Sequence, residues 1–441
     1  MPSLQRRRLA DYRAATRNEI AIDEHMRRVA GLPAPLQLDL PRVQRWAPAA
    51  QRHPRALPWA VGLLKALWTG LLAPALFGLQ LLQLLLNKAR TPASGTPLPS
   101  PGQAVGVAFS SRAVELIEAP GFPLPVAQWL VFPWLDVSEA LRGRAQQSCL
   151  DLLSYRDLFG AWADAVAAAR SARRSPQLSA WRLQTYTAFR WMVARRAVDR
   201  VAAQFLCAEH YDRWAILLDR SLRQRRAPRS GWTLVQHGAV ASLADEAAST
   251  RNPGRELPTR LAMVARLVAF NEASLHFFKA HVLAQRSQAL RQGDLVHAPR
   301  VPLTPVPGNA EQCRLLIVGH PFAEAFHEHA YRHLRKQDPR LICLYKPHPH
   351  AEMSAAMRLV GWTLVDEPGR FPEVDLLLSY PSTLVDEYGT LGVPAVVHPI
   401  SLSPQAAAPV LDELDMAVAR AQRTRSPAGA TMRAANSTTP T

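Results

Sequence analysis

The feature that most constrains the fold is a regular alternation of apolar runs and amphipathic segments between residues 314 and 398. The apolar runs have the length of buried strands, and the segments between them have helical periodicity. Such alternation is typical of a doubly wound domain with a parallel sheet. The predicted strands are 315–318, 341–345, 375–379 and 395–398. One predicted helix follows the first strand and ends at Leu334, and two more cover 351–360 and 383–391.

A second, less regular alternation precedes it, with predicted strands at 105–109, 129–132 and 232–236 and predicted helices at 158–169 and 188–206. The chain has 441 residues, 48% of them hydrophobic, which is enough for two separate cores. We therefore predict α/β domains at 103–300 and 301–418, after a linker at 91–102 that is rich in Pro, Ser and Gly. Residues 419–441 contain few apolar side chains, so we expect a disordered tail.

The N-terminal part contains one long apolar stretch. We expect residues 1–57 to be a basic helical extension and residues 58–90 to be a membrane-associated helical segment, of which residues 58–86 are almost wholly apolar. That length suffices to span a bilayer, but Arg55 and Lys88 give basic charge to both flanks, which a simple span does not favour. With Pro74 near its centre, the stretch is predicted to break into two half-length helices lying at the membrane surface. A buried helix pair in the first domain is the alternative.

The formal net charge of +17 attracts polyanions of any kind, including nucleic acid, anionic lipid and phosphorylated substrates. The chain has no basic run with interleaved aromatics and no nucleic-acid motif, so nucleic acid is not a predicted partner. The four cysteines are scattered without metal or disulfide spacing, which fits a reducing cytoplasm. His329 and His333 lie one turn apart, but no His-Glu-x-x-His occurs and carboxylates nearby are few, so no metal site is predicted.

Polar residues follow the predicted strands of the second domain, where ligands bind in parallel sheets. The first strand runs into Gly319 and His320, and the third runs into Ser382 and Thr383. Ser382 and Thr383 are predicted to cap a helix whose free N–H groups favour a phosphate. Glu387 lies one turn later, where its carboxylate can accept hydrogen bonds from ribose. The alternative is an ordinary helix cap followed by a solvated glutamate.

The second strand of this domain ends in Lys346-Pro347-His348-Pro349-His350. Its two prolines restrict the backbone on both sides of His348. A histidine held in this way can meet a leaving phosphate as a cation or proton donor. His348 is therefore the first candidate for a catalytic residue.

These motifs together resemble the C-terminal half of bacterial sialyltransferases and polysialyltransferases, and more distantly capsule Kdo transferases and CDP-glycerol glycerophosphotransferases. Sialyltransferases use CMP-sialic acid and grip its phosphate with a histidine–proline motif and a Ser-Ser or Ser-Thr motif. The resemblance therefore implies that the donor nucleotide contacts Gly319, His320, Lys346, His348, Ser382, Thr383 and Glu387.

In the first domain, Gln236-His237-Gly238 resembles the Q-H-G or W-H-G element of capsule and teichoic-acid transferases. The resemblance places these three residues on the acceptor side and makes His237 a second candidate for acid/base catalysis. Asp245 and Glu246 are alternates for that role. The acidic-acidic-glycine motif that supplies the base in many sialyltransferases is not evident.

The resemblance implies the GT-B fold class, with two Rossmann-like domains whose parallel sheets face a central cleft, plus the apolar helical segment. It implies a metal-independent glycosyltransferase without a cofactor, moving a sialic acid-like or Kdo-like sugar from a CMP-activated donor. The acceptor is expected to be lipid-linked or a growing capsule, lipopolysaccharide or exopolysaccharide chain, at the cytoplasmic face of the bacterial inner membrane. A CDP-glycerol-type phosphotransferase, a nucleotide-sugar 2-epimerase-like enzyme and a non-catalytic scaffold are the alternatives.

Overall fold

The computed structural model describes most of the chain as two compact units. The described residues are 4–29, 36–43, 46, 53–90, 102–224, 231–239, 257–291, 294–298, 301–307, 312–348, 353–367, 369–400 and 402–425. Apart from short segments, unit 1 ends at Pro299 and unit 2 begins at Arg300. Both units are α/β with parallel sheets, so the predicted two-domain α/β architecture is confirmed.

Unit 1 contains a seven-stranded sheet in which every adjacent pair of strands is parallel. Its strands are β1 (Ala104–Val107), β2 (Gln128–Val131), β3 (Gln146–Ser148), β4 (Gln204–Cys207), β5 (Trp232–Val235), β6 (Val264–Ala269) and β7 (Asp294–Val296). The spatial order is β3-β2-β1-β4-β5-β6-β7. The strands are rich in buried Val, Leu, Phe and Trp, as expected for a sheet covered on both faces.

Nine helices of unit 1 surround or extend this sheet in the described residues. They are α1 (Leu4–Val29), α2 (Ala56–Leu67), α3 (Ala73–Arg90), α4 (Ser111–Ile117), α5 (Cys149–Leu152), α6 (Tyr155–Arg174), α7 (Ala188–Arg200), α8 (Arg213–Gln224) and α9 (Glu272–Phe277). Local sequence sets several of their ends. Ser154 and Asp157 form a capping box at the start of α6, and Arg173 and Arg174 lie in its last turn.

The N-terminal extension is an integral part of unit 1, which differs from the predicted separate segment. The Asn18 side chain donates to the carbonyls of Tyr211 (2.9 Å) and Thr259 (3.0 Å). Arg195, fully buried, pairs with Asp11 at 2.9 Å. A basic composition hid this role, because the contacts of α1 come from polar side chains that look solvent-exposed in the sequence.

The apolar stretch forms one continuous helical rod rather than two half-length helices. Helices α2 and α3 are joined by a π-helical turn at Trp68–Leu72, where the Ala73 N–H donates to the Trp68 carbonyl. The wider turn shifts the hydrogen-bond register just before Pro74, which has no N–H to donate. The rod Ala56–Arg90 is long and apolar enough to cross a membrane by length and composition, and 28% of its most apolar window is buried.

One face of this rod packs on unit 1 and the other is open. Phe77 is fully buried, and the Trp68 indole donates to the Thr185 hydroxyl at 2.8 Å. The open face carries a stripe of large apolar side chains at helical spacing. Its members are Trp59, Leu63, Leu67, Leu71, Leu79, Leu82 and Leu86.

Unit 2 has a five-stranded parallel sheet in the order β11-β10-β9-β13-β14, beside a small two-stranded sheet of β8 and β12. The strands are β8 (Leu303–Thr304), β9 (Arg314–Val318), β10 (Ile342–Lys346), β11 (Thr363–Leu364), β12 (Phe371–Pro372), β13 (Leu376–Ser379) and β14 (Ala395–Val397). Its helices are α10 (Glu324–Gln337), α11 (Ala355–Arg358), α12 (Thr383–Gly389) and α13 (Ala408–Arg425).

Two predicted elements differ from the structure. The helix predicted at 188–206 ends at Arg200, because Val201 is extended, and the chain then enters β4. The tail predicted to be disordered from residue 419 is helical up to Arg425, since Leu414 and Val418 of α13 are buried in the unit 2 core. Residues 426–441, the loop residues Pro349 and His350, and the alternates Asp245 and Glu246 lie outside the described residues.

Candidate active site

The strand order of unit 2 reverses between β9 and β13, because β10 lies on one side of β9 and β13 on the other. In an open parallel sheet, such a switch point opens a crevice at the carboxyl ends of the strands. Here β9 runs into Gly319 and His320, and β13 runs into Tyr380, Pro381 and Ser382. Gly319, His320, Ser382 and Thr383 therefore follow the two strands that flank the switch point, whereas Lys346 and His348 lie at the end of the neighbouring strand β10.

His320 lies at the centre of this group. Its ring centroid is 5.3 Å from that of His348 and 4.8 Å from that of Tyr380. The Phe322 N–H donates to Nδ1 of His320 at 3.2 Å, so the neutral ring carries its proton on Nε2. Burial, with a contribution from His348, lowers the pKa of His320 to about 3. His320 is thus a neutral hydrogen-bond donor, and His348 is half-buried beside it.

Gly319 is required by the packing around β10. A Cβ at this position would lie 2.6 Å from the Tyr345 hydroxyl oxygen. Tyr345 cannot give way, because it is buried and stacked on Trp362 with a centroid distance of 4.2 Å. The glycine lets the backbone that carries His320 pass close to β10, and its N–H donates to the Lys346 carbonyl at 2.8 Å.

Ser382 caps α12, as predicted from the sequence. Its hydroxyl accepts a hydrogen bond from the Leu384 N–H at 3.4 Å and is hydrogen-bonded to Tyr380. Thr383 is the first residue of the helix. Glu387 is almost completely buried, so it is not the solvated glutamate of the alternative interpretation.

The Lys346 ammonium faces backbone carbonyls. It donates to the carbonyls of Glu367 (3.1 Å) and Arg370 (2.9 Å) and lies 5.0 Å from the Phe371 ring centroid. Burial lowers its pKa. These contacts hold the segment before β12 against the end of β10, and a contact between Lys346 and the nucleotide stays a prediction.

Unit 1 has its own switch point, between β1 and β4, and a cavity of about 610 Å³ includes residues that follow both strands. Phe109 follows β1, Glu209 and His210 follow β4, and His237 follows β5. Helices α1 and α3 complete the wall. The remaining lining residues are Glu19, Ile22, Arg42, Leu76, Gln80, Trp134, Leu135, Tyr186, Thr187, Arg190, Tyr211, Asp212, Arg213 and Trp214.

Two carboxyl groups of this cavity form a pair. Glu209 and Asp212 are hydrogen-bonded to each other, and the Ser110 hydroxyl also bonds to Glu209. Burial raises the pKa of Asp212 to about 6 and holds the pKa of Glu209 well above its usual range. Asp212 is therefore largely ionised near neutral pH, and its hydrogen bond with Glu209 raises the pKa of Glu209, which makes Glu209 the member that holds the shared proton more strongly. Asp212 also caps α8 by accepting from the N–H groups of Trp214 (2.8 Å) and Ala215 (3.0 Å).

The pair lies beside two neutral histidines. The backbone N–H of His237 donates to the ring nitrogen Nε2 of His210 at 2.7 Å, and the centroids of the two imidazole rings are 4.0 Å apart. Burial lowers the pKa of His237 to about 4. Its Nδ1 is buried without a hydrogen-bond partner among the described residues. A buried polar atom in a cavity wall is a candidate ligand contact.

Gln236 and Gly238 flank His237 in different ways. The fully buried Gln236 amide donates to the Gly238 carbonyl (2.9 Å) and accepts from the Phe270 N–H (2.8 Å). Gln236 therefore ties the end of β5 to the end of β6 and fixes the turn that presents His237. Gly238 is partly exposed, and a Cβ there would meet nothing closer than His210 at 3.7 Å.

Sequence reasoning missed Glu209 and Asp212. Their segment, Glu209-His210-Tyr211-Asp212, begins one residue after a strand that was assigned to the end of a helix. The available signal was the apolar run 205–208 followed by these polar residues. Within the described part of the chain, no group of three or more His, Cys, Asp or Glu is arranged to hold a metal ion.

No protein-family model matches the chain, and no curated protein matches it. Among solved structures, it is similar to the apo form of WaaB, a lipopolysaccharide outer core galactosyltransferase. The TM-score is 0.37 and the sequence identity 11%, over 72% of this chain and 90% of that chain. A TM-score of this size does not establish a common fold, and the two parallel sheets carry the fold assignment by themselves.

Proposed function

We propose that this protein is a glycosyltransferase of bacterial surface polysaccharide synthesis, moving a sugar from a nucleotide donor held by unit 2 to an acceptor held by unit 1. One observation carries the proposal. Each unit has a switch point at the carboxyl ends of the strands of its parallel sheet, and side chains suited to the transfer reaction follow the strands at each switch point. Unit 2 has a neutral histidine ring and hydroxyl groups that can donate hydrogen bonds to a phosphate. Unit 1 has an acid–base pair of carboxyl groups in a cavity.

The donor side of the proposal rests on His320, His348, Ser382 and Thr383. Donors fixed in place before the reaction stabilise charge that develops on a leaving phosphate. His348 would meet this charge as a cation or as a proton donor. We infer a cytidine nucleotide, with a sialic acid-like or Kdo-like sugar, from the motifs at 346–350 and 382–383. No metal or cofactor is part of this reaction.

The acceptor side of the proposal rests on Asp212, with Glu209 and His237 beside it. The acceptor hydroxyl would lose its proton to the Asp212 carboxylate as its oxygen attacks the anomeric carbon. The bond from that carbon to the phosphate oxygen breaks, and the nucleotide leaves with the electron pair. A carboxylate whose pKa is about 6 is well matched to proton transfer near neutral pH.

We further propose that the open face of α2 and α3 lies on the cytoplasmic surface of the inner membrane, in peripheral or monotopic contact. Trp59 is 84% exposed and Leu71 60% exposed, and both belong to the same stripe. Arg55 and Arg90, at the two ends of the rod, are exposed cations that complement anionic lipid. A lipid-linked acceptor would then reach unit 1 from the membrane.

The donor half of the proposal is tested by ligand-dependent thermal stabilisation with CMP, CDP and UDP. A ligand that binds only the native state stabilises it by about 2.7 kcal/mol at a hundred times its Kd. We expect CMP to raise the melting temperature, and the Ser382→Ala, Thr383→Ala variant to lose that shift without unfolding. The donor assignment is wrong if no cytidine nucleotide shifts the transition. Conversion of a UDP-sugar without acceptor would indicate an epimerase instead.

A further inference from the structure

Three arginines line the cavity of unit 1, and two of them form no ion pair with its carboxyl groups. Arg42 and Arg190 both line the cavity. Of the cavity's carboxyl groups, Glu19 pairs with Arg213 at 3.0 Å, while Glu209 and Asp212 bond to each other. Neither Arg42 nor Arg190 forms an ion pair with a carboxylate among the described residues. The Arg42 charge lowers the pKa of Glu19, but three guanidinium groups still share this partly enclosed space with only two ionised carboxylates, Glu19 and Asp212.

Each of these arginines instead lies over an aromatic ring. The Arg190 guanidinium carbon is 5.8 Å from the Trp134 ring centroid, and that of Arg42 is 5.4 Å from the Tyr186 centroid. Stacking on a ring orients a guanidinium and leaves its edge N–H groups available for a planar or tetrahedral anion. Burial and the neighbouring Arg42 charge lower the pKa of Arg190. That direction is the one expected for repulsion between like charges.

The backbone around Arg42 is built to keep it in place. Its φ is +61°, and no other non-glycine residue of the described chain has a positive φ. The Arg42 N–H donates to the Asp23 carboxylate at 2.9 Å, which ties this segment to α1. A strained residue persists only where surrounding structure holds it, and such positions concentrate at ligand sites.

Arg190 also lines a second groove that adjoins the cavity. This groove, about 520 Å³, shares Gln80, Trp134, Leu135 and Arg190 with the cavity. It continues along α3 past Gln83 and Leu84. The open stripe of α3 begins on the same helix with Leu79 and Leu82. A ligand that reaches the acid pair can therefore extend past Arg190 toward the apolar face.

We propose that Arg42 and Arg190 bind a phosphate or carboxylate group of the acceptor, so that the protein acts on anionic acceptors. The anion offsets the repulsion between the two guanidiniums and fixes the acceptor with a hydroxyl near Asp212. A phosphate linking a sugar to lipid and a carboxylate on an acidic sugar supply the same chemistry. The proposal rests on the proposed transfer reaction only in treating the ligand as an acceptor.

Direct binding tests this site without donor or turnover. Calorimetry on the full-length protein in detergent would compare glucose 1-phosphate, methyl glucuronide, octyl phosphate and the neutral methyl glucoside. We expect at least one anionic probe to bind about tenfold tighter than methyl glucoside, the gain of one charge-assisted contact. Tighter binding of octyl phosphate points to a lipid phosphate, and tighter binding of either anionic sugar points to a sugar-borne group.

Three variants locate the site. Arg190→Gln and Arg42→Gln should each weaken the binding of the anionic probe by about tenfold and leave the binding of methyl glucoside unchanged. Arg42 is exposed, so its variant stays informative if Arg190→Gln unfolds. Arg170→Gln is the matched control, because Arg170 lines a separate basic groove with Arg13 and Arg174.

The proposal is overturned if no anionic probe is preferred to methyl glucoside, or if Arg170→Gln weakens binding as much as Arg190→Gln. Nucleotide binding is unaffected in either case, so failure here is separate from failure of the transferase assignment.

Discussion

The backbone N–H of His237 donates a hydrogen bond of 2.7 Å to the ring nitrogen Nε2 of His210, which fixes His210 as a neutral imidazole with its proton on Nδ1. This bond joins the residues that follow β4 and β5, and so holds His237 beside the segment that carries Glu209 and Asp212. The acid–base side chains of unit 1 are thus positioned by the ends of adjacent parallel strands. Rigid elements of this kind place catalytic groups better than loops do.

Asp212→Asn should lower kcat by about a hundredfold or more while leaving the fold and nucleotide binding intact. Asparagine caps helices as well as aspartate does, so α8 keeps its cap while the proton acceptor is lost. Steady-state kinetics with thermal melting as the stability control measures this. Near wild-type turnover by the variant would show that Asp212 caps a helix and does nothing more.

The turnover rate should rise as pH passes through about 6 and level off near about pH 7. Asp212 must be ionised to accept a proton, and its pKa is raised to about 6, so the active fraction grows as pH passes through that value. Burial and the neighbouring Asp212 carboxylate also raise the pKa of Glu209. A pH–rate profile that is flat between about pH 5 and about pH 7 would remove Asp212 from the reaction.

Unit 2 should lose stability in mild acid because of a buried pair of histidines. His398 donates from Nδ1 to the Pro399 carbonyl (2.9 Å), so its Nε2 accepts from Nε2 of His327 at 3.0 Å. Burial lowers the pKa of His398 to about 4. A depressed pKa stabilises the fold above the unfolded value of about 6.5, and this stability is lost as pH falls toward 4.

Between about pH 7.5 and pH 5, His398 alone should account for about 2 kcal/mol of lost unfolding free energy. Amide hydrogen exchange in β9 and β13 reports this quantity for unit 2 alone. His398→Gln is the matched variant, because its amide oxygen can still accept from His327. The pH dependence should weaken in the variant, and an unchanged pH dependence would assign the acid sensitivity to other groups.

Membrane binding should depend on the open stripe of α2 and α3. Replacing Trp59, Leu63 and Leu71 by Ser should weaken binding to vesicles of phosphatidylethanolamine and phosphatidylglycerol by at least about tenfold, since apolar burial supplies most of the affinity. Leu359→Ser is the control, because Leu359 is 86% exposed but lies in unit 2. Equal losses in both variants, or no binding by the wild type, would contradict the membrane proposal.

The fold of unit 2 was predictable because its strands are nearly continuous apolar runs. The strand predicted at 315–318 is observed as Arg314–Val318, and the helix predicted at 383–391 is observed as Thr383–Gly389. Ser382 also has the capping role expected from its place after a strand. Local patterns sufficed for β9, β10 and β13 because these strands are buried along most of their length, whereas the short strands β8, β11 and β12 were not predicted.

Unit 1 was harder to predict because its determinants are long-range. The amphipathic pattern of α7 continues through residue 206, so the boundary before β4 depends on pairing with β1 and β5, which the local sequence does not encode. The misplaced boundary hid Glu209 and Asp212. The role of α1 was equally hidden, because Glu19 forms an ion pair with Arg213, a residue that lies nearly two hundred positions later in the chain.

The most direct test of the account is nucleotide release from a CMP-activated sialic acid or Kdo donor, measured with and without an anionic glycan or glycolipid acceptor. We predict release that depends on the acceptor, and a loss of about a hundredfold or more in His348→Ala with its fold intact, the usual size of one group's contribution to such a step. Release that is independent of any acceptor, or a His348→Ala variant as active as the wild type, would contradict the account.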